Sequence, residues 1–121
     1  MIERLIEIAR DKRPAARRAL SLGIIELCNA QGGRMDPHDK EMAGQIIIRL
    51  MGEFEIELRA QIARQLAESS HAPRALMIAL AEDGLAVAEP VIAHCPLLDD
   101  GDLLGIILNK SREHRLLVAA R

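Results

Sequence analysis

The segment Leu58-Arg59-Ala60-Gln61-Ile62-Ala63 decides the predicted fold, because its pattern returns three more times along the chain. The second position of each copy, which we call the arginine slot, is an arginine in three of the four copies. In most copies an apolar or small residue precedes this slot, and an apolar residue follows it by three positions. The other copies occupy residues 16–21, 87–92 and 114–119. Six positions before the slot stands a residue of the preceding turn: Asp11, Glu53, Glu82 and Asn109. The repeat therefore predicts four related helices, each following a polar turn.

Another helical stretch precedes each copy, so the predicted repeating unit is a pair of helices. Small residues in the repeat, such as Ala60 and Ala63, let neighbouring helices approach closely. A short amphipathic pair can bury its apolar face only by stacking on its neighbours. The sequence thus predicts an all-α chain of eight helices, arranged as an α-solenoid of about four helix pairs in a single domain over residues 1–121.

The composition of the 121 residues also favours helices. The apolar half contains 18 Ala, 17 Leu and 14 Ile, against three Val, one Phe and no Tyr or Trp. Ala and Leu favour helices, whereas strands favour β-branched and aromatic residues. Helix boundaries are predicted from Pro14 as a first helical residue, Gly32-Gly33 as a stop, and caps at Asp36 or Asp39, at residues 69–73 and at Asp99-Asp100.

Charge and cysteine content restrict the class of protein. The 16 Lys and Arg residues balance 18 Asp and Glu, which excludes a strongly polyanion-seeking chain but leaves room for a local basic patch. Cys28 and Cys95 form no CxxC pair and fit a reducing compartment. No apolar run approaches the roughly 18–20 residues of a membrane span, and residues 1–4 do not begin a signal peptide. We therefore predict a cytoplasmic protein without a membrane segment.

The full length resembles HEAT-type repeats, and in particular a bacterial, mainly alphaproteobacterial, family of HEAT-like domains of unknown function. The matching pieces are residues 9–17, 57–63, 87–92 and 110–114. The third repeat departs from the pattern, with Ala88 in the arginine slot and Pro90 in the first predicted turn. The resemblance implies a helical-repeat fold and no assigned activity. Since the last helix is still periodic at Arg121, we expect that the array continues there in a longer chain or packs its end on something.

Arginine outnumbers lysine thirteen to three, so the arginines are the first candidates for a site. Arg17, Arg59 and Arg115 could recognise carboxylates or phosphates in a bidentate manner from one surface. They could instead pair with turn acids such as Asp11 or Glu53 and fix the stacking of the repeats. We favour the pairing, because repeat register needs directional contacts.

Residues 10–18 form a locally basic segment that contains Arg10, Lys12, Arg13, Arg17 and Arg18. A nucleic-acid surface is one interpretation, but single-strand binding and base flipping depend on aromatic stacking. The chain offers only Phe54 for such stacking, so a solvated helix end is favoured.

Metal, cofactor and catalytic sites find little support in the sequence. The four histidines and two cysteines lack metal-ligand spacings, and only His94-Cys95 are adjacent. Ser70 and His71 could suggest a small hydrolase, yet they lie in a capping stretch without a glycine-rich elbow. We therefore predict no enzyme activity, no cofactor and no metal, and we interpret Cys28 and Cys95 as buried cysteines near helix ends.

The predicted function is a non-enzymatic module that binds another protein, by analogy with helical-repeat folds. The alternative is a nucleic-acid-binding HEAT-like protein that uses the basic segment. The candidate interaction surface comprises Arg13, Arg17, Arg59, Leu116 and Leu117. The partner is another protein or a second copy of the chain, the latter forming a homodimer through the face around Leu116, Leu117 and Val118.

Overall fold

The computed structural model describes residues 2–121, apart from the surroundings of residues 31 and 32, and in this range it contains helices and connecting turns but no strand. Its eight α-helices are α1 (Ile2–Ala9), α2 (Pro14–Glu26), α3 (Pro37–Met51), α4 (Ile56–Leu66), α5 (Arg74–Ala81), α6 (Leu85–His94), α7 (Asp100–Asn109) and α8 (Arg112–Ala120). A π-helical turn (Leu27–Gln31) and a 3₁₀ turn (Gly32–Arg34) follow α2. The predicted all-α class with eight helices is confirmed for the described residues.

Two helices, α3 and α7, begin at side-chain caps that the sequence predicts. The carboxylate of Asp36 accepts a hydrogen bond of 2.8 Å from the N–H of Asp39 at the start of α3. At the start of α7, Asp99 and Asp102 each accept a 2.9 Å bond from the other's backbone N–H, which forms a reciprocal capping box. These contacts satisfy N–H groups that a helix leaves without intrahelical partners.

The loop before α5 differs from its prediction as a cap. Pro73 precedes the helix and makes no side-chain capping bond. Instead, the hydroxyl of Ser69 accepts bonds of 3.1 Å from the N–H groups of His71 and Ala72. Ser69 therefore shapes the loop rather than the first turn of the helix.

The helices pack in two series. One series runs α2, α4, α6, α8, and the other runs α1, α3, α5, with each helix against the next of its series. Across the series, α1 packs on α2, α5 on α6 and α7 on α8. The core that these helices share contains fully buried aliphatic side chains: Leu20, Ile24, Ile62, Leu66, Val87, Val91 and Ile92.

Two close approaches explain small residues in the helices. A Cβ atom at Gly44 in α3 would lie 2.7 Å from Cβ of Pro73, so α3 meets the start of α5 only because residue 44 is glycine. Ala88 of α6 is completely buried, so the arginine slot of the third repeat has no room for an arginine. Pro90 lies in the second turn of α6, rather than in the first as predicted, because the helix begins at Leu85.

Arg121, which follows α8, binds backbone carbonyls at the end of α6. One guanidinium nitrogen of Arg121 donates a 2.8 Å bond to the carbonyl of Ile92, and the other donates a 2.6 Å bond to the carbonyl of Cys95. Arg121 therefore caps the C-terminal end of α6, where cations are favoured because the helix dipole is negative there. The sequence pattern gave no indication of this contact.

Candidate functional site

The five predicted surface residues lie on different elements and differ in exposure. Arg13 precedes α2 and is exposed, whereas Arg17 in α2 and Arg59 in α4 are only partly exposed. Leu116 is 58% exposed on α8, a helix that packs mainly on α6 and α7. Leu117, on the same helix, packs against the core and is partly buried, and Val118 does the same. The arginines therefore lie just before or on α2 and on α4, whereas the leucines lie on α8.

Arg59 makes an internal contact instead of an exposed one. Its Nε lies 2.9 Å from one carboxylate oxygen of Asp83, and a terminal nitrogen lies 3.2 Å from the other. A second terminal nitrogen donates a 2.6 Å bond to the carbonyl of Phe54. Pairing with a turn acid is confirmed for Arg59, but the acid belongs to the turn before α6 rather than to the turn before its own helix.

His114 reaches the same turn from α8. Its Nε2 lies 2.8 Å from the carbonyl oxygen of Asp83, which can only accept, so Nε2 is the donor. Its Nδ1 lies 2.6 Å from the hydroxyl of Ser111. Because His114 is 6% exposed, this contact is shielded from water. The turn at Asp83 thus ties α4, α6 and α8 together.

A cleft of about 420 Å³ lies between the start of α2 and the start of α4, and we call it the α2–α4 cleft. Its walls combine apolar surface with charges of both signs. The lining residues are Lys12, Pro14, Arg17, Arg18, Glu53, Phe54, Glu55, Glu57, Leu58 and Gln61.

Arg17 is the unusual group in the α2–α4 cleft. Its guanidinium carbon lies 5.1 Å above the ring centre of Phe54, which is 4% exposed. One terminal nitrogen, Nη1, is inaccessible to solvent and has no hydrogen-bond partner. A buried donor without an acceptor costs about 1–3 kcal/mol, and a cation–π contact contributes about 0.5–2 kcal/mol in the opposite direction. Arg17 forms no hydrogen bond or ion pair with Asp11 or Glu53, the pairing that the sequence suggested, although its charge contributes to lowering the pKa of both carboxyls.

Those two acids are occupied by other cations. Asp11 accepts 3.0 Å hydrogen bonds from Nε of Arg13, and hydrogen bonding by Arg13 lowers the pKa of that carboxyl to about 2. Glu53 accepts a 2.7 Å bond from Nζ of Lys12, which lowers the pKa of Glu53. Two cations of the basic segment are therefore already neutralised by neighbouring carboxylates.

The other residues that the sequence suggested for chemistry lie in a helix cap or in a loop. Asp99 and Asp102 cap α7 and pair with Arg74, which lies 2.9 Å from Asp99. Ser70 and His71 are exposed in the loop that Ser69 shapes. Within residues 2–121 no group of three or more His, Cys, Asp or Glu side chains is arranged to hold a metal ion.

Both cysteines are free and buried, as predicted. Burial raises the pKa of the Cys28 thiol from 9.0 to about 12, and burial also raises the pKa of Cys95. A protonated thiol is a poor nucleophile, so neither cysteine is poised for covalent chemistry.

Comparison of this chain with family models, with curated proteins and with solved structures finds no match. Across the described residues, no helix has both the length and the apolar character needed to cross a membrane.

Proposed function

We propose that this chain is a short HEAT-like α-solenoid that binds a segment of another protein in the α2–α4 cleft. Two features support the solenoid arrangement. Helices α2, α4, α6 and α8 pack in chain order, as stacked repeats require. The Arg59–Asp83 pair also links one repeat helix to the turn before the next, where a repeat array needs a directional contact.

The observation that carries the binding proposal is the guanidinium of Arg17, which stacks on Phe54, lines the cleft and makes no hydrogen bond or ion pair within the described residues. A carboxylate is the group that a guanidinium recognises best, because two parallel N–H bonds match its two oxygens. Nη1 itself is closed off from solvent, so a partner carboxylate in the cleft would bind the accessible part of the Arg17 guanidinium and supply an acceptor that the fold itself does not provide.

The remaining charges indicate which carboxylate-bearing partner fits. Glu55 and Glu57 also line the cleft and are exposed, so a polyanion would meet repulsion there. A peptide with one acidic residue and a nearby basic residue satisfies both charges. We therefore favour a protein segment of mixed charge over a nucleic acid, whose phosphates repeat along the strand.

The test is selection of peptides from a random library on the wild-type chain, followed by affinity measurements with two variants. Arg17→Met keeps an unbranched side chain and removes the charge, whereas Arg64→Met makes the same change at an exposed position of α4 outside the cleft. We expect Arg17→Met to weaken binding about tenfold to a hundredfold, as the loss of a charge-assisted hydrogen bond does. Arg64→Met should leave affinity unchanged.

A second set of measurements separates the alternatives. Changing the peptide's acidic residue to its amide should weaken binding to the wild type but have little further effect on Arg17→Met. Selected peptides that bind Arg17→Met as tightly as the wild type would refute the proposal. Salt-dependent binding of DNA or RNA that is lost in Arg10→Met or Arg18→Met would favour the nucleic-acid alternative instead.

A further inference from the structure

Helix α7 carries an apolar face that the rest of the described chain leaves uncovered. Leu104 is 54% exposed, Ile107 is 37% exposed and Leu108 is 71% exposed. These three positions follow the i, i+3, i+4 spacing that places side chains on one face of a helix. We call them the α7 stripe.

The α7 stripe differs from the other exposed apolar side chains of residues 2–121. The remaining large examples occur one to a helix, as single surface residues commonly do. They are Ile6, Leu22, Met42, Ile56, Leu85 and Leu116. Three together on one face of a ten-residue helix indicate a surface that packs against something.

The two ends of α7 have opposite charge. Asp100, in the first turn, is exposed and lies on the same helical face as the α7 stripe. Beyond the other end come Lys110 and Arg112, and Arg112 is exposed. Within the described residues neither Asp100 nor Arg112 takes part in an ion pair. A helix that begins with an acidic residue, carries an apolar stripe and is followed by basic residues is complementary in charge to an antiparallel copy of itself.

Gly105 leaves space for a side chain of a second copy. It lies in the interior of α7 beside Leu104, and a Cβ atom built there would meet nothing within 4 Å. The monomer's own packing therefore gives no reason for glycine at this position, although glycine weakens a helix interior. In an antiparallel pair that sets Leu104 against the partner's Leu108, residue 105 lies opposite the partner's Ile107, and a glycine leaves room for that large side chain.

We propose that the α7 stripe binds a second copy of this chain in a two-fold symmetric dimer with the two α7 helices antiparallel. Asp100 of one copy then lies near Arg112 of the other, twice in the dimer, and the helix dipoles oppose. This inference goes beyond the proposed peptide binding, since it uses neither Arg17 nor the α2–α4 cleft. It also places the dimer face on α7 rather than around Leu117 and Val118, which pack against the core.

The test is the native mass, measured by sedimentation equilibrium up to roughly 1 mM protein, where even a millimolar Kd is visible. The mass of the wild type should rise with concentration from the chain mass of 13.3 kDa towards twice that value. Leu108→Glu should be monomeric. The matched control is Leu22→Glu, because Leu22 is similarly exposed at 64% but lies on α2, and this variant should remain dimeric.

Charge exchange tests the antiparallel orientation. Asp100→Arg alone and Arg112→Asp alone should each weaken the dimer about tenfold, and the double exchange should restore most of that affinity. A monomeric wild type, a dimeric Leu108→Glu, or a double exchange no better than either single change would overturn the proposal. Dimerisation should be intact in Arg17→Met and peptide binding intact in Leu108→Glu, so the failure of one proposal is distinguishable from the failure of the other.

Discussion

Replacement of Arg59 by methionine tests whether the turn at Asp83 holds the helices α4 and α6 in register. Methionine retains much of the apolar stem and removes the guanidinium group. Three contacts are lost: two to the carboxylate of Asp83, at 2.9 and 3.2 Å, and one of 2.6 Å to the carbonyl of Phe54. In the variant, Asp83 keeps its 2.7 Å bond from the N–H of Gly84 but loses its ion pair.

The expected loss of stability follows from the burial of the pair. The side chains of Arg59 and Asp83 are 21% and 23% exposed. Breaking a fully buried pair costs about 3–5 kcal/mol, whereas exposed pairs contribute about 0–1 kcal/mol. We therefore expect Arg59→Met to lower the free energy of unfolding by about 2–3 kcal/mol. For a domain of this size, a loss of 1 kcal/mol lowers Tm by about 3–5 °C.

The assay is urea unfolding followed by far-ultraviolet circular dichroism, because the chain has no Trp or Tyr for fluorescence. A double-mutant cycle with Asp83→Asn should give a coupling energy of about 1–2 kcal/mol. The same cycle on Lys12 and Glu53 is the control, since their side chains are 67% and 49% exposed, and it should give less than about 0.5 kcal/mol. Equal coupling in the two cycles would refute the reasoning.

Three further predictions concern stability. The pKa of Cys28 rises from 9.0 to about 12 in the native state, so the stability that the protonated thiol contributes is complete below pH 9 and is lost as pH rises from 9 towards 12. In that range the free energy of unfolding should fall by up to about 1.4 kcal/mol per pH unit. The fall should be less steep in Cys28→Ala. At protein concentrations low enough to keep the chain monomeric, Gly105→Ala should raise the free energy of unfolding by about 0.5–1 kcal/mol. Gly44→Ala should lower it, because the new methyl group meets Pro73. A stabilising Gly44→Ala would contradict the close approach of α3 to Pro73. Arg121→Ala should lower the free energy of unfolding by about 1–3 kcal/mol, while the exposed control Arg64→Ala should change Tm little. Equal Tm values for the two variants would argue against the contacts to Ile92 and Cys95.

Local features of the fold were predictable from the sequence. The start of α2 at Pro14 and the caps at Asp36 and Asp99 depend on residues within one helical turn of each other. The buried cysteines and the apolar positions of α4 follow in the same way from composition and helical spacing. The length of the π-helical turn after α2 was not predictable, because a change in helical hydrogen bonding there has no clear signature in residue type.

The candidate site was predictable only in part. The sequence singled out Arg17 and Phe54 but gave no means of joining them, since 37 positions separate them and their contact depends on how α2 packs against α4. Lys12 and Arg13 looked like free cations of a basic segment, yet each is paired with a carboxylate. Which charges remain available is therefore a property of the packed helices and not of the segment.

The helical class, the start of most helices and the apolar face of each depend on neighbouring residues and on periodicity, so they can be predicted without a structure. The meeting of Arg59 and His114 at Asp83, the cap that Arg121 forms on α6 and the uncovered α7 stripe emerge only when the helices are packed together. Such contacts join groups 24 to 31 positions apart, and their distances are fixed by how whole helices pack.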